Sequence, residues 1–206
     1  MKKILMAAMI GSVLLSAAPI HDAVMSGSIP RVEAVLKHGA DINARDKEGQ
    51  TPLMYAVLNK NRKLTKYLLE HGADVNERGT FDQTPLMWAA YFGDIRLMKL
   101  LIDAGANPNL ADESGYTALH AAVFGSHRRA VELVIKTGAD VDAVNAEGET
   151  PMHIAAKIGN EDTVWPLIRA GASNRIKNRE GMTPSEVAYE EDNDRVSLIM
   201  EKKSKR

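Results

Sequence analysis

Side chains that move protons, hold metals or attack carbon are the raw material of catalysis, and this chain offers six His and 27 Asp and Glu for the purpose. It has no Cys, which excludes a thiol nucleophile, a Cys-ligated zinc or iron–sulfur centre and a disulfide scaffold. His21, His120 and His153 recur at one position of a repeating pattern, His38 and His71 each precede a glycine, and His127 falls in a turn. Each therefore has a scaffold role and none is left over. A ring just before a helix-ending glycine suits the helix dipole, and His38 and His71, one repeat apart on helices spaced by about 8–10 Å, could not share a metal. The carboxylates scatter without a paired spacing, and no phosphate loop, GxSxG or HExxH string occurs. No catalytic residue, metal ligand or cofactor is assigned. An enzyme remains the alternative of a different class, without the nucleophile, base and orienting group it requires.

Charge narrows the partners. The 206 residues hold 26 Lys and Arg against 27 Asp and Glu, a net charge of -1, so no strong field draws the chain to nucleic acid or anionic lipid. An apolar fraction of 45% with 26% charged residues belongs to a folded, soluble chain. The N-terminus stands apart. Met1-Lys2-Lys3 precedes an uncharged run from Ile4 to Ile20, whose apolar heart Ile4 to Leu15 leads into Ser16-Ala17-Ala18. That is the layout of a secretory signal peptide over residues 1–18. Pro19 at the position after cleavage would hinder the peptidase, because its φ is locked and it lacks an N–H. An uncleaved anchor and an apolar cap over the first structured unit are the alternatives, the heart being shorter than the roughly 20 residues that span a bilayer. A periplasmic or secreted location is expected, and a cytoplasmic one if the segment is a cap.

The remainder is periodic. Ala18-Pro19-Ile20-His21, Thr51-Pro52-Leu53-Met54, Thr84-Pro85-Leu86-Met87, Thr117-Ala118-Leu119-His120, Thr150-Pro151-Met152-His153 and Thr183-Pro184-Ser185-Glu186 follow one another at steps of 33 residues. Gly39, Gly72, Gly105, Gly138 and Gly171, each followed by Ala, keep the same step. Thr is a good helix N-cap and Pro suits the first helical position, so a first helix of about two turns starts there. A second helix such as Leu64 to Glu70 ends at Gly72, which can take the left-handed conformation after a helix. Helices this short are marginal alone and must be stabilised by stacking on neighbouring units, as in a solenoid. Ala23, Ala56, Ala89, Ala122, Ala155 and Ala188 share one place in the first helices, where a small residue lets helices approach.

With these TPLH-like and GAD-N-like strings in fixed register over residues 18–206, the chain resembles an ankyrin-repeat protein. The resemblance implies an all-α repeat solenoid over residues 19–206, with five full units and a C-terminal capping remnant. Each unit would be an antiparallel helix pair with a projecting β-hairpin finger. It also implies a concave face of fingers and first helices, and a non-catalytic role in binding another protein. No nucleic acid, no membrane span in the mature chain and a monomer are expected. Some bacterial periplasmic members of the family support catalases or other exported enzymes, so support or regulation of an exported enzyme is one implied role. An immunity-type inhibitor and a secreted effector are others.

Departures from the pattern mark individual units. Asp82 stands where Gly49, Gly115, Gly148 and Gly181 precede the other TP strings, in a turn expected to need positive φ, and Gly79 replaces an Asp or Asn. Met54 and Met87 replace His, so a hydrogen bond expected from the family is missing there. Pro166 inside a second helix is expected to kink it. The informative constellation is aromatic. Residues four, seven and eight places after each leading Thr share a face, and its middle collects Tyr55, Trp88, Tyr91, Phe92 and Phe124 between polar or charged ends. Phe81 and Tyr116 join them from the fingers. These seven are the expected partner-binding residues, an aromatic centre with a polar rim, with Trp88 the strongest anchor.

Overall fold

The computed structural model of the chain describes residues 19–204. The expected leader over residues 1–18 lies outside them. Six helix pairs follow one another: α1 (Pro19–Met25) and α2 (Ile29–Lys37), α3 (Pro52–Leu58) and α4 (Arg62–Glu70), α5 (Pro85–Tyr91) and α6 (Ile95–Asp103), α7 (Ala118–Phe124) and α8 (Arg128–Lys136), α9 (Pro151–Ile158) and α10 (Glu161–Arg169), α11 (Pro184–Glu190) and α12 (Asp194–Ser204). First helices pack on first helices along the whole series, and second helices on second helices from α4 onward. This is the solenoid, with α11 and α12 as the terminal pair.

Local chemistry sets each start. The hydroxyls of Thr51, Thr84, Thr150 and Thr183 accept the amides of Met54, Met87, His153 and Glu186, with Pro at the first helical position in all four. His38 and His71 close the second helices α2 and α4, each with Nδ1 at 2.7 Å from the carbonyl four residues back. The row Ala56, Ala89, Ala122, Ala155 and Ala188 is fully buried, and Ala23 nearly so. Leu64, Leu68, Leu97, Leu101, Val131, Val134, Val164 and Leu167 extend the core through the second helices. Burying each such side chain contributes roughly 1.5–3 kcal/mol. Pro166 is buried in α10, which nonetheless runs unbroken over Glu161–Arg169, nine residues like α4, α6 and α8. The helix thus continues through Pro166, with Val164 and Leu167 buried beside it.

Two sets of hydrogen bonds register one unit on the next, the first buried or half-buried and the second at the surface. Nδ1 of His120 accepts the Thr117 amide at 3.1 Å, which leaves the proton on Nε2 to reach the Glu149 carbonyl at 3.2 Å. His153 does the same with Thr150 and the Met182 carbonyl, and His21 Nε2 meets the Gln50 carbonyl at 3.0 Å. Met54 and Met87 cannot make this rung. The second set is an Asn ladder on the loops after the second helices. Asn76 donates to the Gly105 carbonyl at 3.2 Å and accepts the Asn107 amide at 2.8 Å, and Asn43 and Asn109 repeat the pattern. At the next rung Asp142 accepts the Ser173 amide at 2.7 Å but has no donor for a carbonyl.

The fingers are tight turns rather than the expected β-hairpins, and no strand occurs among the described residues. Each is closed by one backbone return, such as Asp46 N–H to the Gln50 carbonyl at 3.0 Å, and neighbours are joined by single bonds. Ala146 N–H to the Ser114 carbonyl and Arg179 N–H to the Glu147 carbonyl are examples. Isolated bonds of this kind do not build a ladder.

Burial holds the His120 ring well below its ordinary value, at about 4, and moves His153 in the same direction. The unfolded chain takes up protons from about pH 6.5 downward that the folded chain refuses, so stability present above pH 6.5 is lost as pH falls toward 4. Urea unfolding is expected to show a loss of up to about 1.4 kcal/mol per pH unit from His120 in this window, with His153 adding to it in the same direction. His120→Met, the residue that units two and three already use, should flatten the slope between pH 6.5 and 5. An unchanged slope would show that His120 titrates normally in the fold.

Candidate functional site

The first helices turn one face toward their own fingers. Tyr55, four places after Thr51, donates its hydroxyl to Asp46 Oδ2 at 2.5 Å, and Lys157, seven places after Thr150, donates to Glu149 Oε1 at 2.7 Å. The face that the spacing selected is thus the one the fingers overhang. Tyr55 is half-buried, its edge 5.7 Å from the His21 ring, and burial together with the Asp46 carboxylate pushes its phenol up. Tyr116 is half-buried between His120 and Phe124, each ring centroid 5.5 Å away. Burial raises it too, reinforced by Glu147, Glu149 and Asp112.

Trp88 departs from expectation. It is 5% exposed, stacks on Phe92 at 5.9 Å, and belongs to the core rather than to an open anchor site. Its position one turn before Phe92 puts the indole under the surface layer, and Nε1 finds no hydrogen-bond partner among the described residues. Tyr91 and Phe92 are half-buried and meet edge to face at 5.6 Å, with the Lys60 ammonium 4.5 Å over the Phe92 ring. Of the seven expected residues the open ones are Phe81, 42% exposed, and Phe124, 45% exposed. Val144 at 53% and Ile158 at 39% extend this apolar surface on finger four and the end of α9. Sequence reasoning passed over both. Ile158 shares the aromatic face, and Val144 stands where fingers one, two and five carry Arg45, Arg78 and Lys177.

Phe81 is presented by an unusual finger. In fingers one, three, four and five a side-chain oxygen of Asp46, Asp112, Asn145 or Asn178 accepts two backbone amides of its own turn. Finger two has Gly79 instead, and a Cβ there would meet the Met54 sulfur at 2.3 Å. Met54, which replaces a histidine, occupies that space. Without the side-chain acceptor the chain turns through Thr80–Asp82 with Phe81 at φ 56 and Asp82 at φ 58, both left-handed. Non-glycine residues there cost of order 1–3 kcal/mol each, and such strain collects at functional surfaces. Asp82 is compensated by Arg78 Nη1 at 3.0 Å. The Phe81 carbonyl accepts the Glu113 amide at 3.1 Å, and Thr80 Oγ1 donates to the Glu48 carbonyl at 2.5 Å, so neighbours on both sides fix the turn.

No group of three or more His, Asp or Glu is placed to hold a metal among the described residues, and His120 and His153 spend both ring nitrogens on the scaffold. His127 stands at the start of α8 with its ring filling the space beside Gly93 and Gly125. No helix among the described residues is long and apolar enough to cross a membrane. Trp165 and Leu198, also exposed, lie one repeat apart on α10 and α12, away from the finger side.

Because Trp88 is core, Trp88→Ala should lower unfolding stability by about 3–5 kcal/mol, whereas Trp88→Phe, which also removes the unpartnered donor, should stay within about 1.5 kcal/mol. Denaturant titration measures both. A Trp88→Ala chain of wild-type stability would place the indole on the surface.

The comparisons agree with this architecture. A family model described as ankyrin repeats (3 copies) matches residues 8–79, 77–145 and 128–205. Protein phosphatase 1 regulatory subunit 27 of Homo sapiens and its counterpart of Mus musculus are each 40% identical over 50 residues, 24% of this chain and 32% of theirs. The chain therefore spans about a third of the length of the curated relatives it matches. Family models that cover nearly every unit, on a stack of helix pairs in one 33-residue register, identify the chain as a member of the ankyrin-repeat family.

Proposed function

We propose that this chain is a non-catalytic binding module that holds a partner protein against fingers two to four and the finger side of α5, α7 and α9. The observation that carries the reading is the pair of open rings, Phe81 and Phe124, on a face whose remaining aromatics are half-buried or buried beneath them. Exposed aromatics over a packed base, with polar residues at both ends of the row, have the anatomy of an interface centre. The Lys2-Lys3 start and the uncharged run behind it support export, and a phosphatase regulatory subunit among the relatives supports a regulatory role toward an enzyme. Support or control of an exported enzyme is the form this reading takes.

Phe81→Ala with Phe124→Ala tests it, since both rings are exposed and their removal should shift the melting temperature by no more than about 2 °C. The full chain recovered from its native host should retain its partner, and the double variant should lose at least about tenfold in affinity. Undiminished retention by a folded double variant would contradict the assignment. Export is tested separately by mass spectrometry of the chain from that host. An N-terminus near Pro19 is expected, and an intact Met1 in a cytoplasmic fraction would overturn it.

A further inference from the structure

The face just described also has a sign. Fingers three and four, residues 111–116 and 144–149, carry Asp112, Glu113, Glu147 and Glu149 and no Lys or Arg. Fingers one and five are mixed, with Arg45 and Lys47 beside Asp46 and Glu48, and Lys177 and Arg179 beside Glu180. The charge is therefore local to the middle of the row, since the whole chain stands at only -1.

These carboxylates have different duties. Asp112 is half-buried and accepts the amides of Ser114 and Tyr116, and Glu149 is buried against Lys157 Nζ at 2.7 Å. Glu113 and Glu147 are exposed, and no ion pair of the described residues engages either. Both are held in place by their backbones, Glu113 through its amide to Phe81 and Glu147 through its carbonyl to Arg179. Three of the nearby cations are already occupied, Lys157 with Glu149, Arg78 with Asp82, and Lys60 over the Phe92 ring, while Arg179 adjoins Glu147 through its backbone without an ion pair to it. What the face offers an incoming chain is thus open apolar surface at Phe81, Phe124 and Val144 together with the exposed carboxylates of Glu113 and Glu147, which no ion pair among the described residues engages.

We propose that the partner is bound through a cationic segment in which Lys or Arg alternates with apolar residues. This rests on the docking face proposed above and names the chemistry of what occupies it. Apolar side chains of the segment cover Phe81, Phe124 and Val144. Its cations reach Glu113 and Glu147, and one can lie over the Phe124 or Tyr116 ring, where a guanidinium or ammonium is attracted by the π face. An acidic segment meets like charge at the same positions. Because both glutamates are solvent-exposed, their attraction is screened over about 8 Å at physiological ionic strength, and it acts chiefly on encounter rate and partner choice.

The experiment uses the full chain and three synthetic peptides that share their leucines and differ only in carrying lysine, glutamate or serine at the other positions, read by fluorescence anisotropy at several salt concentrations. The lysine peptide should bind at least about tenfold more tightly than the glutamate peptide and weaken as salt rises. Glu113→Lys with Glu147→Lys should abolish that preference. Glu70→Lys with Asp103→Lys, an equal change of net charge on the second helices α4 and α6, should leave it within about twofold, because screening confines charge effects to their neighbourhood. Equal binding of the three peptides, no binding of the lysine peptide, or equal losses in the two double variants would overturn the proposal. If the native partner is still lost on removing Phe81 and Phe124 while the lysine preference is absent, the docking face stands and only its charge selectivity falls.

Discussion

Every feature of this molecule depends on stacking, because no unit can stand by itself. First helices of seven or eight residues and second helices of nine to eleven bury too little in isolation to offset the entropy of ordering them. The stack supplies the missing burial, and it works only in one register. That register is enforced by polar groups as well as by the core: the His rungs at His21, His120 and His153 and the Asn ladder at Asn43, Asn76 and Asn109 all join atoms about one repeat apart. A slip of one residue would leave the ring nitrogens of the His rungs buried or half-buried without partners, at a cost of about 1–3 kcal/mol for each.

The candidate face is a consequence of that register and of one break in it. Where units two and three use Met instead of His, the rung is absent, and the Met54 sulfur fills the space that a side chain at position 79 would need. Gly79 therefore cannot supply the turn-closing oxygen that Asp46, Asp112, Asn145 and Asn178 provide. The turn closes through left-handed Phe81 and Asp82 instead, and an aromatic ring is left open to solvent at the edge of the acidic fingers. Met54 and Gly79 thus occur together with the strained turn, whereas Met87 is followed by Asp112 and an ordinary finger three.

The fold was legible in the sequence because its signals are local and repeated. Thr caps, Pro at the first helical position, Ala at the close contact and Gly after the second helix recur at one spacing, and each has the structural effect its chemistry implies. The fingers show the limit of local reasoning, because turns that share single bonds do not form strands. At the candidate face the spacing groups residues on the finger side of the first helices, but periodicity cannot report depth. Trp88 and Phe124 sit on the same face of their helices, yet the first is covered by Phe92 and its neighbours while the second has Gly125 beside it and stays open. Val144 and Ile158 carried only a weak sign, an apolar residue where other units are charged or polar.

The central claim is that fingers two to four and the first helices beside them form the contact surface. Amide hydrogen exchange on the chain, free and in complex with its native partner, tests it most directly. The account predicts added protection across residues 80–82, 112–116 and 144–149 and at the C-terminal ends of α5 and α7, with α4, α6, α8 and α10 unchanged. Protection confined to the second helices, or to α11 and α12, would contradict it.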